Sequence, residues 1–250
     1  AKKNGYELMM DWELGRKYFN LSYDNQVTSK QTFEEQFLDQ RFDKRVFNIK
    51  DGTDIVGYFQ SPLYFTEFEK DLRKIFSPKG KHKQKLEQNM KMLFSSNKKS
   101  LVIQLRGTDY LSKNLLKEFG GIPGSGYYKQ AIKEICGKDK LDLKDYDIYI
   151  TTDDVPIAKK VLSFLDKKQF FQLSPIEEFF LMTRADRLII SASSFSWWAA
   201  WLNQKKDLQV YAPKYWRNFA KKTEWYPKDI RVQGWHYLEV NDIYAKRNHL

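Results

Sequence analysis

The stretch Arg187-Leu-Ile-Ile-Ser-Ala-Ser-Ser-Phe-Ser-Trp-Trp-Ala-Ala-Trp-Leu202 joins a short apolar run, a loop of small residues and a segment with three tryptophans. The run 187–190 predicts a short buried strand. The loop leads into a predicted helix over 196–203, and hydroxyls with unpaired backbone N–H groups at a helix start favour an anion. Tryptophans this close together are too apolar to be exposed as a group, so we expect them to pack in the core or against another domain. A phosphate cradle on an aromatic base indicates a nucleotide or nucleotide-sugar site.

Strands and helices alternate on both sides of this stretch. Ser174, Pro175 and Glu177 form a capping box with proline at the first helical position, which predicts a helix running to about Arg184. The other predicted strands are Leu101–Leu105, Tyr146–Ile150 and Leu208–Ala212, and the other predicted helices are Tyr127–Cys136 and Val155–Leu165. This alternation predicts an α/β fold with a mostly parallel sheet and right-handed crossovers.

The first part of the chain, residues 1–94, has few continuous apolar runs and many aromatic residues. We predict a helix at Thr32–Gln40, a strand at Arg45–Ile49, a loop or short strand at Gly57–Pro62 and a helix at Phe65–Ile75. The polar stretch Ser95–Ser100 is typical of a linker. We therefore predict two domains, residues 1–97 and 98–250.

The balance of charges points to anionic partners. The 250 residues carry a net charge of +11, which attracts nucleic acid, acidic lipid or phosphorylated substrates. The lysines are spread along the chain and mixed with acidic residues, which favours a plain solvated surface. The densest basic stretch, Lys79–Lys91, has Leu86 and Met90 at helical spacing and predicts an amphipathic helix, for which peripheral contact with an anionic membrane is the alternative to a plain exposed face. No nucleic-acid recognition motif is present, so we do not expect nucleic acid as a partner.

Several other classes of protein are not favoured. The single Cys136 excludes an internal disulfide and fits the reducing cytoplasm. No apolar run approaches 18 residues, so we expect no transmembrane helix. No histidine is paired in sequence with a Ser or Cys nucleophile, which leaves a triad hydrolase unsupported.

Polar clusters follow three of the predicted strands. They are Arg106-Gly-Thr-Asp-Tyr110, Thr151-Thr-Asp-Asp154 and Ser191-Ala-Ser-Ser-Phe-Ser196. In open α/β sheets, ligands bind beyond the carboxyl ends of the strands, and in a parallel sheet these ends share one edge. We therefore predict that the three clusters converge on one ligand site.

Each residue of the first cluster has a functional and a structural interpretation. Arg106 has the planar fork to clamp a diphosphate, or it forms an ion pair with Asp109. Gly107 allows a ligand to approach the backbone closely, or it is an ordinary turn glycine. Asp109 orients Arg106, holds an acceptor hydroxyl or acts as a general base, and helix capping is its structural alternative.

In the second cluster, Asp153 and Asp154 are suited to a ribose, a guanine edge or a divalent metal, or to capping the following helix. We predict that one caps the helix and the other contacts ligand. A metal site is not favoured, because no further ligands cluster nearby in sequence. In the third cluster, Ser193, Ser194 and Ser196 offer more hydroxyls than one helix cap needs, which favours a ligand.

These motifs together are similar to the inverting α-1,2-fucosyltransferases of glycosyltransferase family 11. The segment Ala192–Leu202 resembles the family's tryptophan motif, and Gly57-Tyr-Phe-Gln-Ser61 its GYFQS segment. Further resemblances lie at Gly126–Ile132, Tyr149–Asp154, Glu178–Ser193 and Val210–Trp216. The start, Ala1–Asp11, resembles the family's first helix and second strand, so we expect a preceding strand and a glycine-rich loop before residue 1.

The resemblance implies a GT-B architecture, with two Rossmann-like domains facing across a cleft. The carboxyl-terminal domain would hold GDP-fucose and the amino-terminal domain a galactoside acceptor of a surface glycan such as a lipopolysaccharide or O-antigen, with no metal or other cofactor. The implied catalytic residues are Arg106 and Asp109. The implied donor-binding residues are Gly107, Thr108, Thr152, Asp153, Asp154, Glu178, Ser193, Ser194, Phe195 and Ser196.

The arginine motif departs from the family pattern. The family usually has His-x-Arg-Arg-x-Asp, whereas this chain has Gln104-Leu-Arg-Gly-Thr-Asp109. Gln104 therefore replaces the histidine and Gly107 the second arginine. Two alternatives stay open: a transferase that uses a different sugar nucleotide, and a non-catalytic glycan- or nucleotide-binding module of the same fold.

Overall fold

Alternating strands and helices build the fold. The computed structural model describes residues 17–20, 30–35, 41–166, 169–170, 173–216 and 227–245. The strands are β1 (Gln31–Glu34), β2 (Thr53–Val56), β3 (Lys99–Leu105), β4 (Ile122–Pro123), β5 (Tyr146–Thr152), β6 (Gln169–Phe170), β7 (Arg187–Ile189), β8 (Gln209–Pro213), β9 (His236–Leu238) and β10 (Ile243–Tyr244). The α-helices are α1 (Glu69–Ile75), α2 (Gly80–Leu93), α3 (Lys113–Phe119), α4 (Ser125–Asp139), α5 (Val155–Val161), α6 (Pro175–Met182) and α7 (Ser194–Leu202).

The chain divides into two compact units. The amino-terminal unit comprises Ala1–Gln88 and Pro227–Arg231, and the carboxyl-terminal unit comprises Asn89–Tyr226 and Val232–Leu250. The division falls inside α2, whereas the predicted domain boundary follows residue 97. The predicted elements at Ala1–Asp11 lie outside the described residues.

A six-stranded parallel sheet forms the core of the carboxyl-terminal unit, in the order β6-β5-β3-β7-β8-β9. Its central strand β3 is buried on both faces, with Leu101, Val102, Ile103 and Leu105 fully inaccessible, which explains why its sequence is a continuous apolar run. Strands β5 and β6 extend the sheet on one side of β3, and β7, β8 and β9 extend it on the other side. This is the doubly wound Rossmann order, with its switch point between β3 and β7. The predicted parallel α/β sheet is confirmed.

Helix starts and packing in this unit follow from local sequence. Ser174 and Glu177 form the predicted capping box at the start of α6, with Pro175 in the first turn. In α7, Trp197 and Trp201 are buried, and both make edge-to-face contacts with Trp198. The tryptophans therefore pack in the fold, as predicted, because their large apolar area is stabilised by burial.

The amino-terminal unit corrects two predictions. The predicted helix at Thr32–Gln40 is wrong for its first residues, because Gln31–Glu34 form strand β1, which pairs in parallel with β2. The predicted strand at Arg45–Ile49 is a 3-10 helix over Lys44–Asn48. Asp43 caps this helix by accepting from the Arg45 N–H and from the Arg45 guanidinium, and such local bonds favour a turn over a strand.

The basic segment is helical, as predicted. In α2, Leu86 and Met90 are buried, while Lys81, Lys85 and Lys91 are exposed, so the helix is amphipathic. Among the described residues, no helix is both long enough and apolar enough to cross a membrane.

Asp139, near the end of α4, ties the helix to the amino ends of four strands. Its carboxylate accepts from Arg187 Nε at 2.7 Å and Nη2 at 2.5 Å, from Tyr146 Oη at 2.6 Å and from Gln209 Nε2 at 3.1 Å, and Lys99 Nζ lies 3.2 Å away. These four residues are the first residues of β7, β5, β8 and β3. The side chains of Asp139 and Arg187 are only 4% and 3% exposed. Burial alone would raise the pKa of Asp139, but the hydrogen bonds from Arg187 and Tyr146 outweigh it and hold the pKa below its usual range.

We predict that Asp139→Ala lowers the free energy of unfolding by about 3–5 kcal/mol, because it leaves the Arg187 guanidinium buried and unpaired. Urea unfolding at pH 7 measures the loss. The double variant Asp139→Leu with Arg187→Met is expected to lose less than Asp139→Leu alone, since no uncompensated charge stays buried. Because the folded pKa is lowered, the stabilisation by Asp139 is present above about pH 4 and is lost as the pH falls, so wild type and Asp139→Ala converge in acid. A loss below about 1 kcal/mol at pH 7 would contradict the assignment.

Candidate functional site

The three polar clusters meet at one edge of the sheet, as predicted. Strand β3 lies between β5 and β7 in parallel register, so Arg106, Asp153 and Ser191 all follow the carboxyl ends of adjacent strands. The β3–β7 pair is also the switch point of the sheet, where the crossovers diverge and leave a crevice. The structure therefore brings the predicted residues together where such folds bind ligands.

Arg106 is the central cation of this edge. Its Nε and Nη2 donate to Asp109 Oδ1 and Oδ2, each at 2.9 Å, and its Nη1 lies 3.2 Å from Asp153 Oδ2. The side chain is 37% exposed, so it is accessible as well as held. The Arg106 hydrogen bonds outweigh burial and lower the pKa of the Asp109 carboxyl. Of the interpretations of Asp109, the geometry favours the first, in which it is an ionised partner that orients the guanidinium.

One of the two aspartates of the second cluster caps the following helix, as predicted, while a ligand contact by the other stays a prediction. Asp154 is the N-cap of α5 and accepts from Ile157 N–H at 3.0 Å. Asp153 instead accepts from Gly107 N–H at 2.8 Å and pairs with Arg106. Its backbone carbonyl accepts from Thr108 Oγ1, and Thr152 Oγ1 accepts from the backbone N–H of the capping aspartate. Asp153 is therefore the carboxylate of this pair that belongs to the site.

Gly107 lies in a tightly packed part of this arrangement. A side-chain carbon at this position would lie 3.2 Å from Asp154 Cβ and 3.6 Å from Leu105 Cδ2. These approaches are tighter than ordinary van der Waals contact on one side. The glycine therefore lets the loop after β3 pack directly against the loop after β5.

The serine-rich loop lies at the start of α7. Ser193 is the N-cap, and Ser194 is exposed. Ser196 is fully buried and donates from Oγ to Ser193 O, so its hydroxyl stabilises the helix start. Phe195 packs edge-to-face against Phe179 of α6. Of the predicted serines, Ser194 is thus the one whose side chain reaches solvent, beside the unpaired N–H groups of the first turn.

Four hydrogen bonds that the sequence did not predict join this loop to β3 and the loop after it. Gln104, only 5% exposed, accepts at Oε1 from Ser191 Oγ at 2.5 Å and from Ser191 N–H at 3.2 Å. The Arg106 N–H donates to Ser191 Oγ, and Tyr110 Oη donates to Ala192 O at 2.7 Å. The sequence carries a signal for this contact, because Gln104 is a polar residue inside an otherwise apolar strand. Buried polar side chains are almost always hydrogen-bonded, so a partner for Gln104 could have been expected.

Glu178, in the first turn of α6, lies beside the second cluster. Burial raises the pKa of Glu178 to about 7; a hydrogen bond from the Thr152 backbone opposes the shift and the Asp153 charge adds to it. Glu178 therefore lies close to Asp153, the partner of Arg106, and titrates near neutrality. Its ionised carboxylate can accept a hydrogen bond from a polar ligand, and its protonated form can donate one. Within the described ranges, no group of three or more His, Cys, Asp or Glu side chains is placed to hold a metal ion.

We predict that Glu178→Gln is more stable than wild type at pH 8 and equally stable at pH 4. The folded pKa of about 7 is above the usual 4.5, so the folded state keeps a proton that the unfolded state loses. The contribution of Glu178 to the free energy of unfolding is therefore complete below about pH 4.5 and is lost as the pH rises through 7. The side-chain amide of the Glu178→Gln variant does not titrate, so its contribution does not change with pH. Urea unfolding of both proteins at several pH values measures the difference. Parallel pH profiles for the two proteins would refute the assignment.

Two curated proteins of Escherichia coli are similar to this chain. An "Alpha-1,2-colitosyltransferase" is 28% identical over 189 residues, which cover 73% of this chain and 62% of that protein. The "O-antigen biosynthesis glycosyltransferase WbnK" is 28% identical over 133 residues, covering 50% of this chain and 42% of that protein. The chain thus spans less than two thirds of the length of either relative.

Two solved structures share a weaker likeness. A NodZ alpha-1,6-fucosyltransferase soaked with GDP-fucose has a TM-score of 0.41 at 15% identity, covering 65% of this chain and 60% of that one. The same enzyme co-crystallised with GDP has a TM-score of 0.38 at 14% identity, covering 62% and 54%.

The family comparison spans both compact units. The profile of glycosyl transferase family 11 matches residues 31–239, which include the GYFQS segment, the arginine motif and the tryptophan motif. The match covers well over half of the chain and agrees with the resemblance carried by those motifs. The chain belongs to glycosyl transferase family 11.

Proposed function

We propose that this protein is an inverting glycosyltransferase that moves fucose from GDP-fucose to a galactoside hydroxyl of a surface glycan. The proposal includes the GT-B arrangement, with the carboxyl-terminal unit as donor domain and the amino-terminal unit as acceptor domain. It also includes the expectation that no metal takes part. Family membership supports sugar transfer, and the name of one relative supports an O-antigen glycan as the acceptor class.

The observation that carries the proposal is the position of Arg106. It follows β3 at the switch point of a Rossmann-ordered sheet, next to the exposed start of α7. A diphosphate placed there would meet the Arg106 guanidinium, whose Nη1 and Nη2 each carry one N–H beyond those directed at Asp153 and Asp109. It would also meet the Gly107 loop and the first-turn N–H groups after Ser193. Asp109 and Asp153 hold the fork at 2.9–3.2 Å, so Arg106 is oriented before a ligand arrives.

The chemistry follows from stabilising a departing diphosphate. The acceptor oxygen forms a bond to the anomeric carbon while the bond from that carbon to the diphosphate oxygen breaks, with inversion. The electron pair leaves with the diphosphate, and the acceptor proton passes to a base. Negative charge develops on the diphosphate, where Arg106 and the Ser194–Ser196 backbone donors stabilise it. Ser196 contributes through its backbone, since its hydroxyl is used inside the helix.

A different donor sugar is the second candidate. One relative is named an alpha-1,2-colitosyltransferase, which favours colitose as the transferred sugar in place of fucose. The replacement of the family's His and second Arg by Gln104 and Gly107 also favours a changed donor site. In this chain the side chain of Gln104 accepts a hydrogen bond from Ser191, in the loop before α7.

We predict that Arg106→Ala weakens GDP binding at least about 100-fold in calorimetry, because two charge-assisted hydrogen bonds to the diphosphate are lost. Arg106→Lys keeps the charge but loses the fork, so we expect intermediate binding. Arg184→Ala is the matched control, since Arg184 is an exposed arginine of the same unit. Unchanged GDP affinity in Arg106→Ala would reject the donor site.

The identity of the donor can be tested with thermal shifts. A ligand that binds only the folded state raises the melting temperature, and the increase grows with the logarithm of the ratio of its concentration to its Kd. We expect stabilisation by GDP-fucose and GDP-linked sugars, and none by UDP-sugars. Stabilisation by UDP-sugars alone would overturn the guanine nucleotide assignment. Stabilisation without any transfer to lactose-type acceptors would favour a binding module.

A further inference from the structure

A buried carboxylate in the amino-terminal unit has an unused acceptor oxygen. Glu35 directly follows β1 and is only 4% exposed. Its Oε2 accepts from the Tyr58 N–H at 2.9 Å and the Phe59 N–H at 3.0 Å. Its Oε1 is buried and has no hydrogen-bond partner among the described residues. Leaving a buried carboxylate oxygen unpaired is costly, so such an atom calls for an explanation.

The loop Gly57–Ser61 packs tightly against the Glu35 side chain. Gly57 has φ +154°, and a side-chain carbon there would lie 2.5 Å from Glu35 Cβ, so no other residue fits without a shift. Phe59 has φ +47°, a left-handed conformation that is rare for a bulky residue. Its ring holds this conformation by stacking 6.4 Å from Phe33 and by an edge-to-face contact 5.2 Å from Tyr64. Backbone strain of this kind is concentrated at functional sites.

The same loop carries a second unpaired acceptor. The side-chain carbonyl oxygen Oε1 of Gln60 is buried and, within the described part of the chain, has no partner. Both orphaned atoms accept hydrogen bonds, so the missing partner is a donor. An isolated metal ion is not favoured, because no group of three or more acidic, His or Cys side chains in the described ranges is placed to hold one.

Exposed apolar side chains adjoin these acceptors in sequence. Tyr58 is 61% exposed, and Val56 and Leu63 are 50% and 53% exposed. A pyranose ring presents an apolar C–H face together with hydroxyl donors. Apolar and aromatic walls with a few well-placed polar groups are the usual composition of a small-ligand site.

We propose that Glu35, with Gln60, binds hydroxyl groups of the acceptor sugar, which rests on the Tyr58 side of the Gly57–Ser61 loop. This inference deepens the proposed function and rests on it for the identity of the ligand as a glycan acceptor. Because Glu35 Oε1 is buried in this structure, the inference requires a small displacement of the Gly57–Ser61 loop to give a sugar hydroxyl access to it. Glu35 is a binding residue here, because it contacts the hydroxyl and holds it.

The decisive variant is Glu35→Gln. The carbonyl of the new amide keeps the two backbone hydrogen bonds from Tyr58 and Phe59, which places an NH2 group where Oε1 was. The variant therefore keeps the fold of the loop but turns the orphaned acceptor into a donor and removes its charge. We expect the KM for a galactoside acceptor to rise roughly 10- to 100-fold, the effect of losing a charge-assisted hydrogen bond.

Glu34→Gln is the matched control, because Glu34 is the preceding residue, carries the same charge and is exposed. It is expected to leave the acceptor KM unchanged. GDP affinity, measured by calorimetry, is expected to be the same in wild type and both variants, since the donor site lies in the other unit. Gln60→Met removes the second acceptor with little change in volume, and we expect a smaller increase in KM.

Direct glycan binding separates this inference from the proposed function. Saturation-transfer NMR with methyl β-galactoside and lactose, without any sugar nucleotide, requires no donor site. Binding by wild type and Glu34→Gln but not by Glu35→Gln supports the inference even where no sugar transfer is observed. Equal binding by wild type and Glu35→Gln overturns it, and so does the absence of binding by wild type at millimolar glycan. In either of those cases, GDP calorimetry on Arg106→Ala still tests the donor site independently.

Discussion

The buried ion pair between Asp139 and Arg187 is the constraint on which the carboxyl-terminal unit depends. It gathers the first residues of four adjacent strands around the end of one helix. Two charges that are almost completely buried tolerate little displacement, because each needs the other's hydrogen bonds to offset its desolvation. The pair therefore sets the register in which β5, β3, β7 and β8 leave the amino edge of the sheet. Their carboxyl ends, and the loops that follow, are positioned as a consequence.

At the opposite edge, polar side chains align the loops. Gln104 reaches from β3 to Ser191, Tyr110 reaches back to Ala192, and Asp153 holds the Gly107 N–H. These bonds make three separate loops into one rigid surface with Arg106 at its centre. A preoriented guanidinium can stabilise developing charge without a further reorganisation cost at the moment of reaction. Gln104, which stands where the family usually has histidine, is the side chain of β3 that bonds to the loop before α7.

The two units use carboxylates differently. Asp109 and Asp153 are both paired with Arg106, so each carboxylate has a cationic partner that it holds in place where an anion is proposed to bind. Glu35 is instead held by backbone N–H groups alone, and one of its oxygens stays unmatched among the described residues. A paired carboxylate orients a cation, whereas a half-paired one is suited to a neutral donor such as a hydroxyl. The contrast supports a donor-nucleotide role for one unit and an acceptor-sugar role for the other.

The sequence by itself determined the parallel α/β core, since apolar runs at 101–105, 146–150 and 187–190 are long enough to be recognised without tertiary contacts. It also determined the capping box at Ser174 and the convergence of the clusters after three strands, because both follow from chain order and local bonds. Only the tertiary structure decided that Asp154 caps while Asp153 faces Arg106, that Ser196 is buried while Ser194 is exposed, and that Gln31–Glu34 form a strand. Those outcomes depend on partners distant in sequence, such as Gly107 for Asp153 and β2 for β1, whose proximity no local pattern encodes. Glu35 belongs to the same class, because its environment is made by a loop more than twenty residues further along the chain.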